Sequence, residues 1–378
     1  MNEEKEYIQE EREDSKPWYA KKGDDSDVFL TSRIRFARNL ANFPFPNRFR
    51  GDDRQRVNAI LLDVFSKVKN PDDFHLIPME NLSPQNYYIL QERGILKPKH
   101  EVQNLNISQP TSIVMNSRGD ISILINQIDH LRLSAFKSGL DFTTSFSLLR
   151  DLDSFFQEHV QFASSLEFGY LTCAMKDLGS GIKFSARANL KMSMNAGKLN
   201  ELKKKAEESQ MALLPSFPYY TNEGGLPAGI FYDIVSTKAI NGSDVSQLAE
   251  MEALCSFIAE YERKNSQEYA DNHMTLILNS TMRSLALARN SIFLSFKEAI
   301  GIISDVQVAL RLNLISGIDY ARLSSLLFRL QPGHLSYIME EGNFDFEDDI
   351  KNDEILKPER LRALSIQEAF ENISLRKL

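Results

Sequence analysis

Apolar residues follow two spacings along this chain. Through about residue 243, short apolar runs are interleaved with helical patterns; beyond it only the helical period remains. Val28-Phe29-Leu30-Thr31 reads as a strand. Asp52 or Asp53 can cap a helix running through Asn70, with Val57, Ile60, Leu61, Val64, Phe65 and Val68 at helical spacing. Residues 111–117 and 120–126 read as strands joined by a tight hairpin at Arg118-Gly119. Residues 141–162 predict a long amphipathic helix, 169–190 a loop then a strand, 198–211 a charged helix and 229–235 another strand. After about Asp244 the strand signals stop, and 245–263, 280–290, 295–312 and 320–330 read as helices. Ser295 and Glu298 form a capping box, Ser-x-x-Glu. Ile300, Ile303, Val306 and Leu310 then share a stripe expected to be core or a subunit interface. Residues 340–353 are acid-rich and read as a linker or loop before a last short helix after Pro358. The chain thus divides into an acidic tail (1–16), an α+β part (17–243) and an all-helical part (244–378).

Composition narrows the class of protein. The 378 residues suffice for two domains, or for one large domain with a helical appendage, and are 42% hydrophobic and 25% charged, an ordinary balance for a water-soluble protein. No apolar run reaches the roughly 18 residues of a membrane span. Glu3, Glu4, Glu6, Glu10, Glu11, Glu13 and Asp14 make the first residues the opposite of a signal peptide, so a cytoplasmic protein is expected. Cys173 and Cys255 cannot form a disulfide framework, and the six histidines are scattered, so no structural metal is expected. A net charge of −8 argues against a nucleic-acid binder while leaving room for a local basic pocket.

Four segments carry candidate chemistry. In Ser32-Arg33-Ile34-Arg35-Phe36-Ala37-Arg38-Asn39, alternation along an extended chain puts Arg33 and Arg35 on one face. Two guanidinium forks side by side can clamp a phosphate; a solvated basic strand edge is the plainer reading of the spacing. Asn126-Gln127-Ile128-Asp129-His130-Leu131-Arg132 closes a strand and offers Arg132 as a third cation, with His130 read alone as a structural histidine. Gly169-Tyr170-Leu171-Thr172, Cys173, Ala174 and the loop Gly179-Ser180-Gly181-Ile182-Lys183 suggest backbone amides near an anion. Thr221-Asn222-Glu223-Gly224-Gly225 is a loop with one carboxylate, or a plain surface turn.

In order and spacing these segments resemble the ATP:guanidino phosphotransferases, on the side of the bacterial protein-arginine kinases (McsB) rather than the creatine or arginine phosphagen kinases. Pro17-Trp18 through Gly23, Asp25-Ser26-Asp27-Val28, Ser32 through Leu40 and Pro44-Phe45-Pro46 are similar to that family's N-terminal signature. Asn126 through Arg132 resembles its Asn-Glu-Glu-Asp-His-hydrophobic-Arg motif. Phe168 through Thr172 and Leu178 through Gly181 resemble its cysteine loop. Arg289-Asn290 to Ser304, Val306 to Leu314 and Leu330-Gln331-Pro332-Gly333-His334-Leu335 resemble its C-terminal domain. The resemblance covers roughly residues 17 to 363. It implies an antiparallel sheet flanked by helices, followed by an all-helical C-terminal domain that dimerises or senses phosphoarginine. It also implies ATP with magnesium, and an arginine-containing protein as substrate or a protein partner, such as a zinc-binding activator or a chaperone or protease system.

Several positions depart from the pattern. In the family, cations hold the nucleotide phosphates while a carboxylate positions and deprotonates the guanidinium, a division that suits phosphoryl transfer. Arg33, Arg35 and Arg132 match arginine positions, whereas the arginine after the glycine loop is Lys183 here. A further family arginine aligns with Pro218, and none occurs between Arg187 and Arg263. The two family acids read Gln127 and Ile128, and the family cysteine aligns with Ala174, one residue after Cys173. Glu223 matches the loop glutamate. The C-terminal Arg-Asp-x-x-Arg-Ala motif, associated with phosphoarginine sensing, reads Pro358 through Ala363, with Arg362 kept and Arg360 or Lys357 in reach, or a solvated helix end. The expectation is a pseudokinase with a partly retained nucleotide-phosphate site and a regulatory or adaptor role. The alternative is an active protein-arginine kinase resting on Glu223 with Cys173 nearby.

Overall fold

The computed structural model describes residues 16–97, 111–217, 230–239 and 243–376. Its first half runs β1 (Phe29–Arg38), α1 (Asp53–Phe65), β2 (Phe74–Pro78), α2 (Pro84–Glu92), β3 (Ser112–Asn116), β4 (Ile121–Ile125), β5 (Leu131–Ser138) and α3 (Phe142–His159). There follow β6 (Ser164–Ser165), β7 (Gly169–Tyr170), β8 (Ile182–Asn189), α4 (Lys191–Asn195), α5 (Leu199–Glu208), β9 (Met211–Pro215) and β10 (Phe231–Ser236). Eight strands form one antiparallel sheet in the order β2-β3-β4-β5-β1-β8-β10-β9, while β6 and β7 pair separately.

Strand periodicity assigns the two faces of this sheet. Ile34 and Phe36 of β1, Leu131, Leu133 and Ala135 of β5, and Ile182, Phe184 and Ala186 of β8 point into one apolar cluster with α1, α3 and α5. The intervening residues point the other way. A register shift between Phe29 and Thr31 sends Phe29 to the first cluster and Leu30 to the opposite face. The arginine segment is therefore part of β1 itself and continues the strand read at 28–31. Its alternate polar positions hid seven further strand residues, Ser32 to Arg38, because they serve a polar half-face.

Beyond residue 243 come α6 (Asp244–Asn290), α7 (Phe296–Arg311), β11 (Ile315–Ser316), α8 (Tyr320–Arg329), α9 (Pro332–Glu341), α10 (Leu356–Phe370) and β12 (Ser374–Leu375). Two helices expected at 245–263 and 280–290 meet in α6 across a kink at His273 (φ −139°, ψ 31°). Leu248, Met251, Leu254, Cys255, Ile258 and Ala259 complete the sheet's own core, so the change of composition at 243 falls before a stretch that the sheet needs. The second part of α6 packs with α7, α8 and α10. The Ser295–Glu298 capping box forms, and Ile300, Ile303 and Val306 are buried inside this cluster with Leu310 against it, so the stripe is internal core. Strand structure does not end at 244: β11 and β12 form a two-residue ladder. Helix α1 stops at Phe65 rather than Asn70, which sits in the left-handed region (φ 57°). Helix α10 starts two residues before Pro358, which is tolerated because first-turn N–H groups have no helical acceptor. Among the described residues no helix is long and apolar enough to cross a membrane.

Candidate functional site

The polar face of the central strands is rich in cations. Across the register, Arg35 lies opposite Ser134 of β5 and Lys183 of β8, Arg132 opposite Ala37, and Arg187 opposite Asp233 of β10. Alternation keeps Arg33, Arg35, Arg132, Lys183, Arg187 and Asp233 on this one face. Above it opens a cleft of about 330 Å³ lined by Arg33, Arg35, Arg132, Arg187, Gln127 and Asp233. One wall is Gln91 and Glu92 of α2, the segment 94–97 and Gln331 at the start of α9; the other is Leu214, Pro215 and Phe217.

The cations crowd one another. The Arg33 guanidinium lies 4.9 Å over the Phe136 ring, and its Nε has no hydrogen-bond partner among the described residues. Burial, then Arg35 and Arg132, push it down to about 9. Burial and Arg132 push Arg35 down to about 10, although its Nη2 stands 3.4 Å from Asp177 Oδ2. Arg132 is anchored by Asp129 at 3.0 Å and reaches Asp177 at 3.5 Å. Lys183 donates to the Ser236 carbonyl at 3.2 Å, and burial brings it down to about 8. Depressed values on neighbouring cations mean that each resists its own charge, which an arriving anion would relieve.

The carboxylates described at the cleft are already engaged. Gln127, at the first lost acid position, is buried, its Oε1 has no hydrogen-bond partner among the described residues, and it lines the cleft. Ile128 is half-buried in the same turn and is not among the cleft-lining residues. Glu92 accepts from the Gly333 and His334 amides at 2.6 and 3.1 Å, capping α9. Asp233 takes both forks of Arg187 at 2.7 and 3.0 Å and the Ser216 hydroxyl at 2.8 Å. Asp129 accepts from Asn39, Arg132 and the Cys173 amide. Burial raises its carboxyl, but Arg132 and these bonds outweigh that and hold it below its usual range. Burial and Asp129 push the Cys173 thiol up, away from the reactive thiolate. Glu223, with its loop, and Pro218 lie outside the described residues.

Other singled-out residues build rather than bind. Arg38 is 1% exposed; it pairs with Asp153 at 2.8 Å, donates to the Ala37 and Ser180 carbonyls, and stacks 3.7 Å over Tyr170. Asn39 ties Asp129 to the Leu171 carbonyl and the His130 amide. His130 accepts from the Leu40 amide and meets the Pro44 carbonyl through its other nitrogen, so it is structural. The glycine loop is a packing knot. The Gly179 and Ser180 amides donate to the Tyr170 and Ala239 carbonyls, and a Cβ on Gly181 (φ 67°) would lie 2.5 Å from Arg38. At the C-terminus, Arg362 is buried and donates to the Leu330 and Leu294 carbonyls, while Arg360 pairs with Glu347 at 2.7 Å. Arg187, Asp233, Glu92 and Asp177 are site residues that the sequence reading missed. Strand period continued from Lys183 would have found Arg187; no sequence signal marked the other three. Among the described residues no group of three or more His, Cys, Asp or Glu side chains stands together to hold a metal ion.

An antiparallel sheet with a cation-lined face under a helical flank defines a guanidino-kinase class of protein, and the comparisons agree. Residues 56–265 match the ATP:guanido phosphotransferase C-terminal catalytic domain, and residues 275–377 match the C-terminal domain of protein-arginine kinase McsB. The chain belongs to the ATP:guanido phosphotransferase family. It is 28% identical over 340 residues to the protein-arginine kinase of Halothermothrix orenii, covering 90% of this chain and 95% of that one. It is 27% identical over 320 residues to that of a Geobacillus species, covering 84% and 86%. Its fold is shared with the duplicated taurocyamine kinase from Schistosoma mansoni with bound transition-state-analogue components (TM-score 0.57, 17% identity), over 64% of this chain and 34% of that one. The chain thus spans about a third of that duplicated protein. It also shares the fold of lombricine kinase (TM-score 0.53, 17% identity), over 66% and 69% of the two chains.

Proposed function

We propose that this chain is a protein-arginine-kinase-like phosphate binder that has lost most or all arginine phosphorylation and acts by binding. The observation that carries this reading is Gln127: an amide faces the cleft where the family pattern has an acid, and the cleft's described carboxylates are occupied by Arg187 and by the start of α9. Glutamine cannot take a proton near neutral pH, and losing a general base costs on the order of 10²–10⁴ in rate. Arg33, Arg35 and Arg132 would hold the phosphates of a nucleoside triphosphate. Magnesium, when it accompanies the triphosphate, supplies charge neutralisation on phosphate oxygens. The role left is that of a cytoplasmic adaptor or regulator, a homodimer if the helical region supplies an interface, with an arginine-bearing or arginine-phosphorylated protein as its partner.

The test is incubation of the purified protein with Mg-ATP and an arginine-rich protein, reading acid-labile phosphate on arginine by mass spectrometry under neutral conditions. No signal above background is expected beside an active relative. Robust phosphoarginine that vanishes in Glu223→Ala would instead establish a working kinase. Replacing Arg33 and Arg35 together with alanine should abolish the thermal shift produced by ATP; an unchanged shift would refute the phosphate assignment.

A further inference from the structure

Asp177 closes a short turn (Met175–Asp177) and is 1% exposed beneath the cation-lined face. Three cations surround it, none at close range. Its Oδ2 is 3.4 Å from Arg35 and 3.5 Å from Arg132; its Oδ1 is 3.7 Å from Lys183 and accepts no hydrogen bond among the described residues. Charge-assisted bonds normally close to about 2.7–2.9 Å. Arg187–Asp233 and Arg38–Asp153 in the same protein reach 2.7 and 2.8 Å. One carboxylate is therefore shared by three donors too widely set for it. Arg35 and Arg132 also line the cleft, so the same two guanidinium groups face Asp177 on one side and the cleft on the other.

We propose that Asp177 is an internal counter-ion that fixes the charge of the cation cluster and thereby selects among phosphate ligands, restraining affinity most for the most highly charged. This rests on the reading of the cleft as a phosphate site. The physical basis is additive charge. Arg33, Arg35, Arg132 and Lys183 supply four positive charges, and Asp129 is bound up with Arg132, so the Asp177 carboxylate sets the remaining excess. A buried negative charge behind the arginines repels an anion in front of them, and that repulsion grows with each charge on the ligand. Without Asp177 the ligand-free cluster is more strongly self-repelling and the anion is held more tightly.

The experiment is calorimetric titration of the whole chain with orthophosphate, pyrophosphate and tripolyphosphate, comparing wild type with Asp177→Asn and Asp177→Glu. In Asp177→Asn, binding should tighten about tenfold for tripolyphosphate and progressively less for pyrophosphate and orthophosphate. Asp177→Glu, which keeps the charge, should behave like wild type. Thermal melts of the ligand-free variants accompany the titrations. Asp177→Asn is expected to melt lower alone and to gain a larger shift with tripolyphosphate. If Asp177→Asn binds equally or more weakly, or tightens equally for all three anions, Asp177 is only a structural prop and the proposal falls. Should Asp177→Asn fail to fold, a wild-type-like order of affinities in Asp177→Glu supports the charge assignment, and a reversed order overturns it. Arg33→Ala separates the two levels of the argument. Loss of binding in that variant with no tightening in Asp177→Asn sinks only the counter-ion. Absence of binding by wild type and all variants sinks the phosphate site itself.

Discussion

Arg33, Arg35 and Arg38 are the same side chain on one strand with different work to do. The first two face the cleft, whereas Arg38 is locked against Asp153, the Ser180 carbonyl and Tyr170. Arg38→Met should cost about 3–5 kcal/mol in urea unfolding, because it strands the Asp153 charge. Arg33→Met keeps the packing on Phe136 and removes a self-repelled cation, so ligand-free stability should not fall while phosphate binding is lost. Period-two spacing made the Arg33–Arg35 face legible in advance. The fate of Arg38 was not legible, because its partner lies more than a hundred positions away and nothing local announces it. Lys183 gives the site a pH dependence. Below pH 8 its folded form is charged; between about 8 and 10.5 the folded protein releases a proton that the unfolded chain keeps. The free protein should therefore gain stability as pH rises through that window while its affinity for tripolyphosphate falls. Titrations at pH 7 and 9 should show this, and Lys183→Met should flatten the loss of affinity. His130 and His334 act at the acid end. Burial brings both down to about 4 from 6.5, so the unfolded chain takes up protons first as pH falls from 6.5 to 4. Melting temperature should decline through that window, with His334→Asn removing about half of the slope.

Helix α6 shows how an element can belong to two parts of the molecule. Its start completes the core under the sheet, and Glu262 accepts from the Met192 and Ser193 amides at 3.0 and 2.9 Å while pairing with Arg311 of α7 at 3.1 Å. Arg263 clamps Asp25 and Asp27 near the start of β1. We place the division between units at the His273 kink. A fragment of residues 16–243 should lack a cooperative unfolding transition, whereas 16–272 should have one; equal cooperativity in both would argue for 243. The helical signal at 245–263 was plain in the sequence, yet periodicity gives only which positions are buried, not which core receives them. Elements α2, β2, β9 and α9 were unread for a related reason: each is short and only partly buried, so its pattern is weak.

At the scale of the molecule, the helical region forms part of the cleft. Gln331 lines it, Glu92 joins α2 to the start of α9, and Phe328 of α8 packs on Trp18 and Tyr19 at ring separations of 5.2 and 4.9 Å. Glu92→Ala should cost about 1–2 kcal/mol and speed amide exchange at Gly333 and His334, since two helix-start N–H groups lose their acceptor. Division into a sheet region and a helical region could be seen in the chain's patterning; their sharing of one cleft depends on contacts such as Glu92 to Gly333 that no local spacing encodes. The shift of register at Phe29–Thr31 bears on how this chain can change over evolutionary time. Deleting one residue from the middle of β1 would turn the arginines beyond it into the greasy interior and bring Ile34 or Phe36 out to the cleft. Length changes there are ruinous where letter changes are not. The irregularity at Phe29–Thr31 is the one place on β1 already out of step, so a gained or lost residue can be absorbed there; lineages that vary the length of this strand should do so at that point and leave residues 32–38 ungapped.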